Sequence, residues 1–386
     1  MVRPYKLALL LLPLLTCLLV LIDTPFHRLS TGTLRGVVRD VSRPSVSLRE
    51  LWSGDFQAQY ERWFEQELAF RPAIVRTANS LNLLVFREIS AHTGVPNVLG
   101  KHATLFEMNY IDDANAVTVQ KGDVPPPGPH TVQESARRLG RAARQLGARG
   151  IAFVVVLYPT KVWLEPELMP SRFLLPGGRE KATAGYKYLL DQLHQNEVPV
   201  IDGVEVFSGL RKSMPDLPLY NRGGTHWTHA GACFVAQRIV GEIVEHAPNS
   251  TDEPHLRCQL GPPQMAEGVD VDIAELSNVW DISRFREPVR TVRPRLSGKI
   301  PGGARSTLVV GTSFSAHLIW ALQAARVMKQ VRRISYYRHT DSKGMNWQGD
   351  VAHRGLIVLE QSQSSFLTIN SSEFVDDLLQ ELAAAP

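Results

Sequence analysis

The stretch STLVVGTSFSAHLIW, residues 306–320, carries the pattern that decides the fold. Its first residues are mostly apolar and β-branched, which is typical of a strand buried on both faces, and a helical pattern begins near Ser315. In parallel α/β sheets, functional sites form where the carboxyl end of a strand meets the amino end of a helix. The stretch therefore predicts a parallel sheet, with Ser313 exposed at one of its functional edges.

The same alternation of apolar strands and helices extends over the second half of the chain. Thr131 and Glu134 have the spacing of a capping box, which predicts a helix that ends near Gly147. Further helices are predicted at residues 181–196, 228–245 and 315–331. Strands are predicted at residues 151–157, 198–202, 306–311, 332–337 and 355–360. This alternation predicts an α/β fold whose parallel sheet is flanked by helices on both faces.

The region before this pattern has a different character. Residues 47–92 are predicted to be helical, with Phe56, Tyr60 and Trp63 on one aromatic stripe. The segment QKGDVPPPGPH, residues 120–130, is too rich in Pro and Gly for regular structure and marks a connector. We therefore predict a helical appendage over residues 25–118 that packs on a main domain over residues 119–386.

The amino terminus predicts a membrane anchor. Residues 7–22 are uncharged and follow Arg3 and Lys6. The run is slightly short for a spanning helix, which needs about 17 residues or more. No small-residue cleavage site follows it, so we predict an uncleaved signal anchor over residues 1–24, with a cleaved signal as the alternative. Because the positive charges precede the apolar run, the main domain is expected on the exported side of a single-pass inner-membrane protein.

Composition excludes some classes of function. The net charge of +4 arises from 42 basic and 38 acidic residues, and no basic run alternates with aromatic residues, so a nucleic-acid partner is not expected. Neither a metal-binding pattern nor a glycine-rich phosphate loop occurs, and we expect no cofactor. Among the three cysteines, Cys233 and Cys258 either pair in an oxidising compartment or stay as free thiols.

Two residues can carry nucleophilic chemistry together. Ser313 stands at the predicted strand-to-helix junction, and His226 lies at a helix entry in GTHW, residues 224–227. Either residue alone has a structural explanation, since Ser often caps a helix and His often packs in a first turn. A serine nucleophile needs a base within hydrogen-bond reach, so we predict that Ser313 and His226 face one another. The order His before Ser and the lack of G-x-S-x-G exclude the usual α/β-hydrolase arrangement.

Five stretches, in their joint order, resemble the AlgJ/AlgX-like alginate O-acetyltransferase family. They are LWSGDFQAQYERWFEQELAFRP, VLGKHATLFEMNYIDD, LYPTKVWLEPELMP, GTHWTHAGACFVAQRI and VVGTSFS. The resemblance implies a circularly rearranged SGNH-hydrolase-like domain that acetylates an exported bacterial polysaccharide at the periplasmic face of the inner membrane. It also implies a partner, a multispanning membrane-bound O-acyltransferase that supplies the acetyl group. In this family the residue matching Ser313 is the nucleophile that forms an acetyl-enzyme, and the residue matching His226 is its base.

One position departs from the family pattern. The family has Asp two positions before the histidine, and this chain has Gly224. A backbone carbonyl or an acid from elsewhere must then orient His226, and Asp202 and Asp350 are the candidates. Two alternatives to an acetyltransferase follow: a catalytically weakened scaffold or polysaccharide-binding protein of the same machinery, and an acetyl-esterase on the same fold.

Other residues are candidates for binding roles at the same edge. The backbone around Gly311 and Thr312 is predicted to stabilise an oxyanion. Tyr158 and Lys161 follow the first predicted strand, on the side where the site is expected, and are candidates for substrate contact or for sheet-edge structure. Residues 336–338, which include Tyr337, follow a later strand and are predicted to line an acceptor groove.

Overall fold

The computed structural model describes about three quarters of the chain. The described residues are 11, 14–15, 18, 22, 32–36, 42–67, 70–89, 96–115, 129–245, 254–300, 305–335, 351, 353–363 and 378–380. The chain divides into two compact units, one of residues 1–98 with 273–284 and the other of residues 99–272 with 285–386. The boundaries predicted near residues 24 and 118 lie outside the described residues, and the predicted domain division stays a prediction.

The predicted anchor also lies mostly outside the described residues. Among the residues that are described, no helix has the length and apolar character needed to cross a membrane. The anchor over residues 1–24 therefore stays a prediction.

The first unit contains the helices predicted over residues 47–92. They are α1 (Leu48–Ser53), α2 (Asp55–Glu67) and α3 (Arg71–Val85). Gly54 separates the first two with a left-handed backbone, φ 86°, which glycine adopts at no steric cost. Pro72 lies in the first turn of α3, where its missing N–H leaves no bond unmade. The ring of Tyr60 lies 5.7 Å from that of Phe56 and 5.3 Å from that of Trp63, which confirms the aromatic stripe.

The remaining elements follow in chain order. They are β1 (Asn97–Leu99), β2 (Leu105–Glu107), α4 (Met108–Ala114), α5 (Pro129–Ala148), β3 (Ala152–Tyr158), α6 (Lys161–Leu164), α7 (Gly178–Gln195), β4 (Val200–Asp202), α8 (Gly203–Ser213), α9 (His229–Glu245), β5 (His255–Met265), α10 (Asp272–Leu276), β6 (Pro288–Ser297), β7 (Arg305–Gly311), α11 (Ser315–Ala324), β8 (Met328–Ser335) and β9 (Leu356–Ser362). Short 3₁₀ turns, among them Gly268–Val271, lie between them.

Within the described part of the chain, five parallel strands form the central sheet in the order β4-β3-β9-β7-β8. Side chains of alternate residues pack on opposite faces, because successive side chains of a strand point in opposite directions. Val309 packs on one face against α9 and α11, whereas Leu308 and Val310 pack on the other face against α5 and α7. The predicted parallel sheet with helices on both faces is confirmed, and its carboxyl edge includes Gly311.

The structure corrects the sequence prediction at two places. Helix α11 ends at Ala324 instead of residue 331, since Arg326 has φ 59° and β8 begins at Met328. The Pro-rich stretch after α9 contains an antiparallel hairpin, β5 with β6, where no strand was predicted. Its register shifts between Leu260 and Pro263, and such a bulge tolerates proline because the ladder is already interrupted there.

The hairpin is also linked covalently to helix α9, which packs on the central sheet. Cys233 of α9 and Cys258 of β5 form a disulfide, which resolves the alternative that the sequence left open. Cys233 is fully buried, so the link fixes the hairpin against the core helix.

Candidate active site

The nucleophile turn, residues 311–314, connects β7 to α11. Ser313 is exposed there, while Thr312 and Phe314 on either side are buried. A Cβ on Gly311 would lie 2.3 Å from Oε2 of Glu360 in the neighbouring strand β9, so only glycine fits at this strand end. The turn therefore presents one hydroxyl to solvent and keeps its other side chains inside.

Glu360 holds this turn from beneath. Its Oε2 accepts the N–H of Thr312 at 2.7 Å, and its Oε1 lies 3.1 Å from Oγ1 of Thr312. Burial raises the pKa of the fully buried Glu360 carboxyl to about 8, so this group is neutral at neutral pH. A neutral carboxyl can both accept from the backbone N–H and donate to the hydroxyl, which satisfies both groups of Thr312.

Arg333 of β8 binds the same turn from the opposite side. Its Nη2 donates to the carbonyl of Thr312 at 2.8 Å, and its Nε donates to Oγ of Ser315 at 2.9 Å. The side chain of Ser315 in turn donates to the carbonyl of Thr312 at 2.7 Å. Both neighbouring strands of β7 therefore contribute a side chain that fixes the residue before Ser313.

His226 faces this turn and completes a chain of hydrogen bonds. Its Nε2 lies 2.7 Å from Oγ of Ser313, and its Nδ1 lies 2.7 Å from Oδ2 of Asp272. An ionised carboxylate only accepts hydrogen bonds, so Nδ1 carries the hydrogen and Nε2 offers its lone pair to the serine hydroxyl. Oδ1 of Asp272 accepts the N–H of Thr225 at 2.8 Å, which fixes the carboxylate plane. The arrangement is that of a nucleophile, a base and an orienting acid.

The segment that carries Asp272 explains why residue 224 is glycine. A Cβ at residue 224 would lie 2.4 Å from the carbonyl oxygen of Asp270, in the 3₁₀ turn that leads to Asp272. The clash would be with backbone, which cannot yield without moving Asp272 as well. Gly224 does not have a positive φ, so the close approach of residues 269–270, and not backbone conformation, requires glycine.

Lys161 supports the loop before His226. Its buried ammonium donates to the carbonyls of Asn221 at 3.0 Å and of Arg222 at 3.3 Å, and also to that of Gly224. Burial lowers the pKa of Lys161 to about 8, partly offset by nearby carboxylates. The lysine is therefore part of the scaffold that positions His226, and the structure does not place it at a substrate surface.

The loop and the turn are also joined directly by Trp227. Its Nε1 donates to the carbonyl of Phe314 at 3.1 Å, and its side chain is fully buried. The Phe314 ring lies 4.5 Å from that of His226 and stacks on Tyr158 at 4.1 Å. The hydroxyl of Tyr158 lies 3.2 Å from Oγ1 of Thr312. Tyr158 is 1% exposed, so it supports the turn and does not line an acceptor groove.

The structure corrects the other predicted roles. Asp202 does not orient His226, because its Oδ1 caps α8 through the N–H of Val204 at 2.8 Å and accepts from Tyr186 at 2.6 Å. Thr312 is not an oxyanion donor, since its N–H is bound by Glu360. Asp350 and the predicted groove residues 336–338, with Tyr337, lie outside the described residues.

Two functional groups were missed by the sequence analysis. Asp272 lies in VDVDIAEL with nothing that distinguishes it from an acid in the first turn of any helix. The N–H of Ser313 makes no hydrogen bond within the described part of the chain and is free for an oxyanion. A strand-to-helix turn signals such an N–H in general, but only the bond between Thr312 and Glu360 singles out Ser313.

The chain is similar to several known proteins. The model of the family described as SGNH hydrolase-like domain, acetyltransferase AlgX, matches residues 120–333. The probable alginate O-acetylase AlgJ of Pseudomonas aeruginosa is 23% identical over 292 residues, which is 71% of this chain and 68% of that protein. The O-acetyltransferase domain of Pseudomonas putida AlgJ has a TM-score of 0.48 and 18% identity, over 75% of this chain and 100% of that one. AlgX of Pseudomonas aeruginosa has a TM-score of 0.46 and 16% identity, over 75% and 67%.

Proposed function

This chain belongs to the AlgX family of SGNH hydrolase-like acetyltransferase domains, and from that premise we propose that it transfers acetyl groups to hydroxyls of an exported polysaccharide through an acetyl-enzyme on Ser313. One observation carries the proposal: the unbroken hydrogen-bond chain from Ser313 through His226 to Asp272. An exposed serine with an oriented base is what acyl transfer through a covalent intermediate requires.

The first half-reaction loads the enzyme. The serine Oγ attacks the carbonyl carbon of an acetyl donor, and its proton moves to Nε2 of His226. The negative charge that develops on the carbonyl oxygen is stabilised by the free N–H of Ser313, next to the amino end of α11. When the tetrahedral species collapses, the donor's leaving group takes the proton from Nε2, and the acetyl group stays on Oγ.

The second half-reaction uses the same groups in reverse. A sugar hydroxyl attacks the acetyl-enzyme and gives its proton to Nε2 of His226. Collapse then releases the acetylated sugar, and the serine Oγ takes the proton back. In both halves Asp272 stabilises the imidazolium that forms, so the acid missing at residue 224 does not prevent catalysis. This removes the reason for a catalytically weakened scaffold.

The compartment and the partner belong to the same proposal. The disulfide between Cys233 and Cys258 fits an oxidising compartment such as the bacterial periplasm. The main domain is then held at the outer face of the inner membrane by residues 1–24, and a membrane-bound O-acyltransferase supplies the acetyl group from the other side of the bilayer. Protease accessibility on intact and permeabilised cells tests the location.

Turnover of a small acetyl ester tests the chemistry. Wild type should release product and carry an acetyl group on Ser313, detectable by mass spectrometry of the quenched enzyme, whereas Ser313→Ala and His226→Ala should do neither. Adding an oligosaccharide acceptor should divert acetyl groups from water to sugar, and hydrolysis without any acetylated sugar would favour the esterase. Ser297→Ala, at an exposed serine of β6, is the matched control for loss of a hydroxyl. Equal inertness of wild type and Ser313→Ala would contradict the enzyme proposal.

A further inference from the structure

Two residues that can contact a ligand lie at the solvent side of α11. Ser313 lies two residues before the helix begins, and Trp320 lies in its second half. Ser313 and Ala316 are exposed and Trp320 is half-buried, and their spacing of three and then four residues puts them on one face of the helix. One part of the Trp320 side chain packs against the core, which fixes the indole, while the rest reaches the surface. Ala316, which is small and exposed, lies between Ser313 and Trp320 in the sequence.

A row of imidazoles connects the same two points. His229, the first residue of α9, is half-buried, and its ring lies 4.5 Å from that of Trp320 at nearly a right angle. The rings of His229 and His317 are 4.1 Å apart, and His317 lies 6.3 Å from the ring of His226. This row of imidazoles therefore runs from His226 to the half-buried indole of Trp320, beside helix α11.

The imidazoles in this row have unused hydrogen-bonding capacity. Nδ1 of His317 lies 2.8 Å from the carbonyl of Trp227, which makes Nδ1 the donor and leaves the lone pair on Nε2. In the described part of the chain, neither Nε2 of the 6% exposed His317 nor any nitrogen of His229 has a hydrogen-bond partner. Burial lowers the pKa of both rings, that of His317 to about 4, so both are neutral at neutral pH.

We propose that Trp320, His229, His317 and the exposed Ala316 form an acceptor subsite that holds one sugar ring beside Ser313. A half-buried indole that is fixed against the core suits the apolar C–H face of a sugar, and neutral imidazole nitrogens suit its hydroxyls. Neither His229 nor His317 carries a charge at neutral pH, and Trp320 and Ala316 have none, so the subsite recognises hydroxyls and the ring face and not a carboxylate. The inference rests on the proposed function, because it places the acceptor next to the acetyl-enzyme.

Direct binding tests the subsite separately from catalysis. Full-length Ser313→Ala protein, which cannot turn over, is titrated calorimetrically with a neutral probe, cellohexaose, and a charged probe, hexamannuronate. Adding Trp320→Ala should weaken binding of both probes about tenfold, the size expected for one aromatic contact. Trp320→Phe should retain most of the affinity, because it keeps a stacking ring.

Two further variants keep the test decisive if Trp320→Ala fails to fold. Ala316→Trp adds a large side chain at an exposed position and should weaken binding of both probes, whereas Ala316→Ser, which adds one atom, should not. Trp280→Ala, at another exposed tryptophan, controls for nonspecific loss of an indole.

Each remaining outcome is informative. Absence of binding of both probes to the Ser313→Ala protein, or unchanged affinity in Trp320→Ala and Ala316→Trp, would overturn the subsite. Loss of affinity for hexamannuronate alone would overturn the recognition of hydroxyls. An enzyme that hydrolyses no acetyl ester but binds sugar through Trp320 would contradict the proposed function and leave the subsite standing.

Discussion

The two halves of the candidate site are assembled in different ways. The nucleophile turn follows directly from one strand and enters one helix, and its two clamps, Glu360 and Arg333, come from the strands on either side of β7. The histidine loop instead depends on Asp272, 46 residues later, and on Lys161, more than sixty residues before His226. The turn is therefore fixed by neighbouring strands of the sheet. The loop is fixed by side chains from segments that are distant in sequence. Such a loop can exchange the origin of its acid and keep its chemistry.

The largest effect is expected from a substitution of Asp272, which the histidine loop takes from a distant segment. Asp272→Asn should lower acetyl-ester turnover by about 10⁴-fold, because the imidazole loses its tautomer and its charge partner. The matched control is Asp270→Asn, an acid of the same segment whose Oδ1 has no hydrogen-bond partner in the described structure, and it should cost less than tenfold. Steady-state kinetics of acetyl-ester turnover, measured on folded proteins, tests this prediction. A decrease in turnover of less than tenfold in Asp272→Asn would mean that another group orients His226.

Gly224 tests whether the acid can return to the position usual in the family. Gly224→Asp should lower turnover by about 10²-fold, because its Cβ meets the carbonyl of Asp270 and displaces Asp272. The double variant Gly224→Asp with Asp272→Ala should not recover activity. Near wild-type turnover in that double variant would show that the two acid positions are interchangeable. Gly209→Asp, at an open helix position, controls for the added charge.

Glu360 tests the turn in the same way. Glu360→Leu leaves the N–H of Thr312 without a partner and removes the carboxyl from its hydroxyl, which still has Tyr158 at 3.2 Å, so we expect a loss of about 1–3 kcal/mol in the free energy of unfolding. Glu360→Gln should remain close to wild type, because an amide accepts and donates as the neutral carboxyl does. Urea unfolding of both variants measures this. Equal destabilisation by Gln and Leu would contradict a neutral Glu360.

The smallest effect concerns pH. The pKa of Glu360 rises from 4.5 to about 8 on folding, so between these values the folded protein binds more protons than the unfolded chain. Its stabilising contribution is complete below 4.5 and is lost as the pH rises through about 8. Between about pH 6 and pH 7 the loss relative to Glu360→Gln should stay below about 1.4 kcal/mol. Parallel urea titrations measure it, and a wild-type protein that gains stability relative to Glu360→Gln as the pH rises would contradict this sign.

Much of the fold was predictable because its signals are local. The strands β3, β7 and β9 are short apolar runs between helices, and such runs belong in a parallel sheet wherever they occur. The carboxyl end of α11 was predicted wrongly, because Val327 and Met328 continue the apolar pattern of the helix although Met328 already belongs to the next strand. The hairpin of β5 and β6 was missed, since its prolines oppose strand formation and only cross-strand pairing offsets them.

The α/β class and the facing pair of Ser313 and His226 could be predicted from the sequence, because each is marked by residues within one turn of it. Tertiary structure alone decided which acid stands behind His226, why residue 224 is glycine, and which N–H is free beside Ser313. The physical reason is that a hydrogen bond depends on distance in space. Residues 46 positions apart meet through the path of the whole chain, and no local pattern at Asp272 encodes that meeting.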